Sequence, residues 1–556
     1  MKLDKAIELG GKDMAQFITA REAAKLIPDG ATVGLAGMGL SGWAEEIACA
    51  MRDNFAETGH PCNLHIKQGS AMGDWGYGNK FDGWDRSPLP EPDTTHGNRG
   101  LTRLGEAGPG LVTKWTSAHV GSSFTLCDQA RAEQLESHCL PQGVIINLWR
   151  EIAAGRPGLI TKTGLGTFVD PRVEGGCMNE RAKNSEDEVV RLVEFNGEEY
   201  LFYPSFKCDV ALLRGTIADE NGNISFEHES VINEGFSVAA AAKNSGGIVI
   251  VQVEYLAKKE TLNPKDIKIP GTLVDYVVQA KDPKSCWQAE GTYWEPSYSG
   301  HIRIPLDSIE PLPFDERKVV CRRVAMELSK GDLINLGVGM PADVAKIVAE
   351  EGLIDEVTMS TESGMVGGVP SALPTFGSAY NPEAIITPNE MFDLISGGGL
   401  SMTCLGIGEV DKDGNNNVSR MGKRLTGPGG FIDITAATPK VVFAGTLMGK
   451  AKVKVGDGKL EILEEGTIQK FVDKVGQITF AGQYAPANQE VLYVTERAVF
   501  KLIDHVLTLI EIAPGIDLEK DVIANMGFRP AIAADLKTMD PGIFQENWGG
   551  LKDYMK

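Results

Sequence analysis

The sequence predicts an α/β protein made of two related open α/β domains with largely parallel sheets, joined by a linker. Three observations carry this reading. Apolar, β-branched runs alternate with segments of helical period, the rhythm of βαβ units. A block near the N-terminus recurs in the second half of the chain. A second landmark recurs downstream of both copies, in the same order.

The first strand is expected at 32–36, Thr-Val-Gly-Leu-Ala. A helical segment follows at 43–51, then a second strand at 63–67. The repeated block covers 21–39 and 322–340. In each copy a helix ends at a glycine turn (Gly30, Gly331), and a strand then runs into a Gly-x-Gly turn that opens another helix. The second landmark pairs 213–223 with 405–415. Each is an apolar strand entering an Asn-Gly or Asp-Gly hairpin turn.

Between the copies, 297–315 carries Pro305, Pro311 and Pro313 and reads as a linker. The chain thus divides into an N-terminal domain at 1–298, a linker at 299–316 and a C-terminal domain at 317–556. The first domain is longer, partly through 75–99, a Gly-, Asp-, Pro- and Trp-rich stretch with no period. A loop of that length is functional or disordered. The tail at 526–556 reads as loop and short helix.

Composition removes several classes of function. Asp and Glu number 76 against 54 Lys and Arg, a net charge of −22, which argues against a nucleic-acid partner. No apolar run approaches the ~20 residues of a membrane helix, and Met1-Lys2-Leu3-Asp4-Lys5 leads into no signal-peptide core. Nine cysteines without a CxxC pair read as reduced thiols of a cytoplasmic protein. Eight histidines without HxxxH or HExxH spacing give no zinc site.

Four motifs remain. Gly37-Met38-Gly39-Leu40-Ser41-Gly42 matches GxGxxG between strand and helix. The next strand ends Lys67-Gln68-Gly69, without the acidic residue a dinucleotide needs, so a tight turn near a ligand is favoured over NAD. The acidic runs 219–222 and 411–414 miss the order of a calcium loop and read as hairpin turns. The segment 357–370 sends an alternating strand through Ser360-Thr361-Glu362-Ser363 into Gly364, Gly367 and Gly368. Glu362 there is either a nucleophile among close-approach glycines or an ordinary solvated or capping carboxylate; spacing alone leaves both open.

Ser-Thr-Glu-Ser-Gly-Met-Val-Gly-Gly at 360–368 is similar to the active-site signature of the family I CoA-transferases. Residues 29–44 resemble that family's N-terminal glycine-rich signature, with Met38 where Phe is usual and Ala44 where Pro is usual. Pro141-Gln142-Gly143-Val144, Gly397-Gly398-Gly399, 408–411 and Gly427-Pro428-Gly429-Gly430-Phe431 fall in the family's order. The resemblance spans nearly the whole chain, with both halves fused, and looks closest to the propionate/acetate branch.

The resemblance implies a CoA-transferase that exchanges CoA between an acyl-CoA and a short-chain carboxylic acid. It implies ping-pong chemistry through a glutamyl-CoA thioester on Glu362, with CoA as substrate and no permanently bound cofactor or metal. Gln142 is the implied side-chain donor to the acyl oxygen; the alternative is an amide that caps the following helix. Backbone amides of Gly398 and Gly399 are further donors, or a plain turn. Gly337-Val338-Gly339-Met340-Pro341 matches the CoA-contacting turn, and Gly427 and Gly430 are similar candidates. Lys423 and Arg424 would meet CoA phosphates or are simply solvated. A homo-oligomer, dimer or tetramer, is the implied assembly. A thioester hydrolase using the same glutamate, and a non-catalytic ligand-binding protein, are the competing readings. The loop at 75–99 would be a lid over the acyl pocket, or a surface flap or subunit contact.

Overall fold

The computed structural model describes residues 15–75, 99–282, 285–305 and 311–556. The first sheet contains strands β1 (Gln16–Phe17), β2 (Thr32–Leu35), β3 (Leu64–Gln68), β4 (Val112–Ser117), β5 (Glu136–Cys139), β6 (Val210–Asp219), β7 (Ile248–Ala257) and β8 (Tyr276–Gln279). Their spatial order is β1-β8-β7-β6-β2-β3-β4-β5. Every pairing along that path is parallel. A parallel strand is covered on both faces, which is why Val210 to Leu213 and Val249 to Val251 read as unbroken apolar runs.

The second sheet contains β9 (Leu333–Leu336), β10 (Thr358–Ser360), β11 (Met365–Val366), β12 (Ala384–Ile385), β13 (Met402–Gly406), β14 (Lys440–Ala444), β15 (Glu490–Val494), β16 (Ala498–Ile503), β17 (Val506–Ile512) and β18 (Ala531–Thr538). Their order is β12-β11-β10-β9-β13-β14-β15-β16-β17-β18. Its centre, β10-β9-β13-β14-β15, is parallel, and the antiparallel pairings lie to either side.

The repeat read in the sequence is a repeat of topology. β2 lies between β3 and β6, and β9 lies between β10 and β13. Gly30 and Gly331 both have positive φ, 72° and 80°. The hairpin landmarks match atom for atom. Asp219 Oδ1 accepts from the amides of Asn221 and Asn223, and Asp411 Oδ1 from those of Asp413 and Asn415. The other carboxylate oxygen accepts from the Asn223 or Asn415 side chain. Both carboxylates are therefore occupied in bracing a turn.

Two features differ from the sequence reading. The tail contributes β18, an eight-residue edge strand. Its Ala531-Ile-Ala-Ala-Asp-Leu-Lys-Thr538 run is largely exposed, so it lacks the β-branched, half-buried pattern that signals a strand. The helix expected at 43–51 is α1 (Glu45–Thr58), extended to a left-handed cap at Gly59. Of the stretch 75–99, only Trp75 and Arg99 fall within the described residues.

Each sheet has its own apolar core, and the cores exchange side chains. Leu425 and Ile432 from the second half join the first core, and Ile146 joins the second. Burying each contributes roughly 1.5–3 kcal/mol. The helices that carry Ile146 and Ile432, α2 (Gln142–Ala153) and α5 (Phe431–Ala437), face each other across the junction. Between them in sequence lie α3 (Glu316–Ala325) and α4 (Pro388–Ser396), and α4 packs on both.

Candidate active site

Glu362 sits on the short turn between β10 and β11. Thr361 N–H donates to Met365 O at 3.0 Å, and Gly364 N–H returns to Thr361 O at 3.1 Å. Gly364 is the residue that lets the turn close. Its φ is +110°, and a Cβ there would lie 2.0 Å from Ile386 O. Ser363 Oγ donates to Gly377 O and shares a hydrogen bond with Thr361 Oγ1. Both hydroxyls flanking Glu362 are thus used to fix the turn. The carboxylate itself is carried into a cavity of about 450 Å³ lined by both halves of the chain.

Glu362 is 6% exposed. Burial pushes its carboxyl above the ordinary value of 4.5, and a hydrogen bond from Asn335 works against that shift. Asn335 stands in the middle of β9, a polar residue in the apolar run Leu-Ile-Asn-Leu, and is fully buried. The site therefore holds a carboxylate short of solvent, which raises its reactivity toward an electrophile.

The facing wall is the loop 426–430. It is stitched to the first half by backbone bonds from Val120 and Gly121 to Thr426 O, from Gly429 to Ala118 O, and from Gln142 N to Gly429 O. Gly427 must be glycine for this. With φ +85°, a Cβ there would lie 2.6 Å from Ala118 O. Consecutive residues of the loop then reach the two key side chains. A Cβ at Gly429 would be 3.8 Å from Gln142 Oε1, and one at Gly430 would be 3.7 Å from Glu362 Cβ. The Gly430 amide, at the N-terminus of α5, has no acceptor among the described residues.

Gln142 is the first residue of α2, 2% exposed and on the cavity wall. Its side chain does not cap its own helix. Nε2 instead donates to Ser70 Oγ at 2.8 Å, and the second N–H has no acceptor among the described residues. The side-chain acceptor for the helix N-terminus is Asp433 of α5, whose Oδ2 takes the Gly143 amide at 3.1 Å. Burial pushes Asp433 up to about 7 against the pull of the amides of Gly143, Val144 and Gln142.

Of the other residues marked in the sequence, Gly337, Val338, Gly427 and Gly430 line the cavity beside Glu362 and Gln142. Gly339 to Pro341 continue from that wall into a 3₁₀ turn, Met340–Asp343. Lys423 is exposed on a hairpin, and its neighbour Arg424 lines the cavity. Gly398 and Gly399 lie apart from the others. They close the C-terminus of α4 rather than the cavity, and their amides are spent on Ile395 O and Leu394 O at 3.0 and 2.9 Å. An amide already bonded to its own helix has nothing left for an acyl oxygen.

The GxGxxG turn is held from behind. Arg214 forms a buried ion pair with Glu229 and donates to Leu40 O and Trp43 O, and Glu229 accepts from Ser41 and Gly42. Met38 of this turn reaches the cavity. Sequence reasoning missed Asn335, Asp433 and Ser70. For the first two, a polar residue inside an apolar run was the available signal; Ser70 gave none. It also missed His119, whose ring lies 4.6 Å from that of Trp75 at the cavity wall. Burial and the nearby Arg424 hold His119 down at about 3, so it is neutral at pH 7.

The family model described as Coenzyme A transferase matches residues 95–280. The chain is 62% identical to caffeate CoA-transferase of Acetobacterium woodii, over 98% of this chain and 100% of the relative. It is 38% identical to the acetate CoA-transferase YdiF of Escherichia coli O157:H7, over 95% of this chain and 94% of the relative. The crystal structure of the YdiF apoenzyme superposes with a TM-score of 0.86 at 37% identity, covering 97% of each chain. A YdiF thioester complex with CoA superposes at 0.84, with 36% identity and the same coverage. The chain therefore belongs to the family I coenzyme A transferases, with both halves fused in one polypeptide, and is an enzyme that acts between an acyl-CoA and a free acid.

Proposed function

We propose that Glu362 is the nucleophile and that CoA passes through a glutamyl-CoA thioester on it. Its carboxylate attacks the thioester carbonyl of the acyl-CoA, the C–S bond breaks, and the CoA thiolate leaves a mixed anhydride. The thiolate then attacks the glutamyl carbonyl of that anhydride. The acyl carboxylate departs as free acid, and the thioester remains on Glu362. A second acid runs both steps in reverse. No proton is gained or lost overall. The observation that carries this reading is a buried carboxylate on a rigid turn, next to the unused amide of Gly430 and the side chain of Gln142. The YdiF relative forms a thioester complex with CoA, which supports the same chemistry here.

Gln142 and Gly430 are assigned as donors to the oxyanion that forms at each step, one from each half of the chain. Gly337 and Val338 form the wall for the pantetheine arm, and Arg424, with Lys423 nearby, meets CoA phosphates at the rim. The acid is a short-chain acid such as acetate, propionate, butyrate or a 3-keto acid. A second reading, an arylpropenoate, is favoured by the 62% identical relative named for caffeate and by Trp75, His119, Phe124 and Phe376 on the cavity wall. We place the enzyme in the cytoplasm, in keeping with nine unpaired cysteines.

An acceptor panel with acetyl-CoA as donor tests the reading. CoA transfer should require an added acid, and rates with acetate, butyrate, acetoacetate and caffeate rank the two acid classes. Rapid CoA release without any acceptor would assign a hydrolase instead.

A further inference from the structure

We infer that Asp433 is a positioning residue for catalysis: from the second half of the chain it caps the N-terminus of α2 in the first half and so holds the Gln142 side chain in register with Gly430 and Glu362. The inference rests on the assignment of Gln142 as an oxyanion donor.

The first amides of any helix have no partner within it and need an acceptor from outside. At α2 the N-cap residue is Pro141, which has no side-chain acceptor, and the first turn carries no acidic residue. Two groups supply the need, and both come from the other half of the chain. Gly429 O takes the Gln142 amide at 3.0 Å, and Asp433 Oδ2 takes the Gly143 amide at 3.1 Å. Asp433 is 2% exposed and otherwise sits among the apolar residues of α5. A carboxylate in that position is costly unless its acceptors are used, and the capping bond to Gly143 uses one of them.

Geometry ties this cap to the site. Asp433 lies three residues after Gly430, one turn along the same short helix. That helix carries at its start the amide beside Glu362, and one turn later the carboxylate that seats the helix bearing Gln142. Gly143 is built for the approach, since a Cβ there would lie 2.8 Å from Asp433 Oδ1. Ser70 Oγ fixes the far end of the Gln142 side chain, and Ser117 Oγ in turn donates to Ser70 O at 3.3 Å. The backbone end is fixed by the cap. Without it, the start of α2 is free to shift, and a displacement near 1 Å at a reacting centre costs about 10²-fold in rate.

The test is a double-mutant cycle on the full enzyme with an acyl-CoA and an acceptor acid. Gln142→Ala should lower kcat by roughly 10²–10³-fold. Asp433→Asn keeps the shape but turns one acceptor into a donor. It should lower kcat by about 10–10²-fold, with KM for acyl-CoA changed far less. If Asp433 acts through Gln142, the double variant should fall within about threefold of Gln142→Ala alone. Losses that multiply would show a structural contribution only and overturn the proposal, as would a wild-type kcat in Asp433→Asn. A wild-type kcat in Gln142→Ala would instead remove the donor assignment on which the inference stands. Should Asp433→Asn fail to fold, Asp433→Ser retains one acceptor oxygen and serves in the same cycle.

Discussion

Replacing Gly143 by Ala adds one methyl group at the second residue of α2. On propensity alone the change favours the helix by up to about 1 kcal/mol. The surroundings oppose it. The new Cβ would lie 2.3 and 2.6 Å from two ring carbons of Phe392 and 2.8 Å from Asp433 Oδ1. Phe392 is fully buried in the second core, so its ring has nowhere to retreat. Overpacking of this kind costs roughly 1–3 kcal/mol, and contacts this short on two sides belong in the upper part of that range. The expected net loss is about 1–2 kcal/mol. The easier relaxation is for α2 to slide away from α4 and α5, which carries Gln142 with it. The rate loss should then exceed the stability loss, at about 10²-fold in kcat per folded molecule. Thermal unfolding reports the first quantity, and steady-state kinetics normalised to titrated active sites reports the second. A Gly143→Ala enzyme with unchanged melting temperature and unchanged kcat would refute the close junction of α2, α4 and α5 on which this reasoning depends.

Two further outcomes follow from the electrostatics of the site. The Glu362 carboxyl is raised by burial, so the folded state holds that proton more tightly than the unfolded chain, and ionisation costs stability at every pH above the folded value. Glu362→Gln should therefore melt higher than wild type at pH 8, with the gain shrinking as pH falls toward 4.5; a variant that melts lower at pH 8 contradicts the burial argument. Arg424→Ala should raise KM for acyl-CoA while leaving turnover of an acyl-pantetheine thioester unchanged, because only the former presents phosphates; equal effects on both would remove Arg424 from phosphate binding.

The chain's periodicities announced much of this architecture, and the glycines announced the turns. The strand at 32–36 and its counterpart at 333–336 were legible because parallel strands are apolar on both faces and because each follows a glycine with positive φ, Gly30 or Gly331. The placement of Glu362 on a turn was legible for the same reason, since Gly364, Gly367 and Gly368 all have positive φ. Gly398 and Gly399 show where local reading stops. A run of three glycines after a helix serves equally as a cap or as a ligand cradle, and only the bonded partners of the amides distinguish them. Asp433 stands out locally as a polar residue in an apolar run, but its partner does not: the Gly143 amide lies 290 residues away in sequence, so no local pattern relates the two. Ser70 and Asn335 likewise acquire their roles from partners brought close by the fold within their own halves, Gln142 and Ser360.

During turnover CoA should become covalently attached to Glu362. The direct measurement is peptide mass spectrometry of the enzyme incubated with an acyl-CoA and no acceptor acid, quenched at mildly acidic pH to preserve the thioester. The peptide containing Glu362 should gain the mass of CoA less one water. The adduct should disappear when an acceptor acid is added and should not form in Glu362→Ala. An adduct on another residue, or turnover by Glu362→Ala at the wild-type rate, would contradict covalent attachment at Glu362.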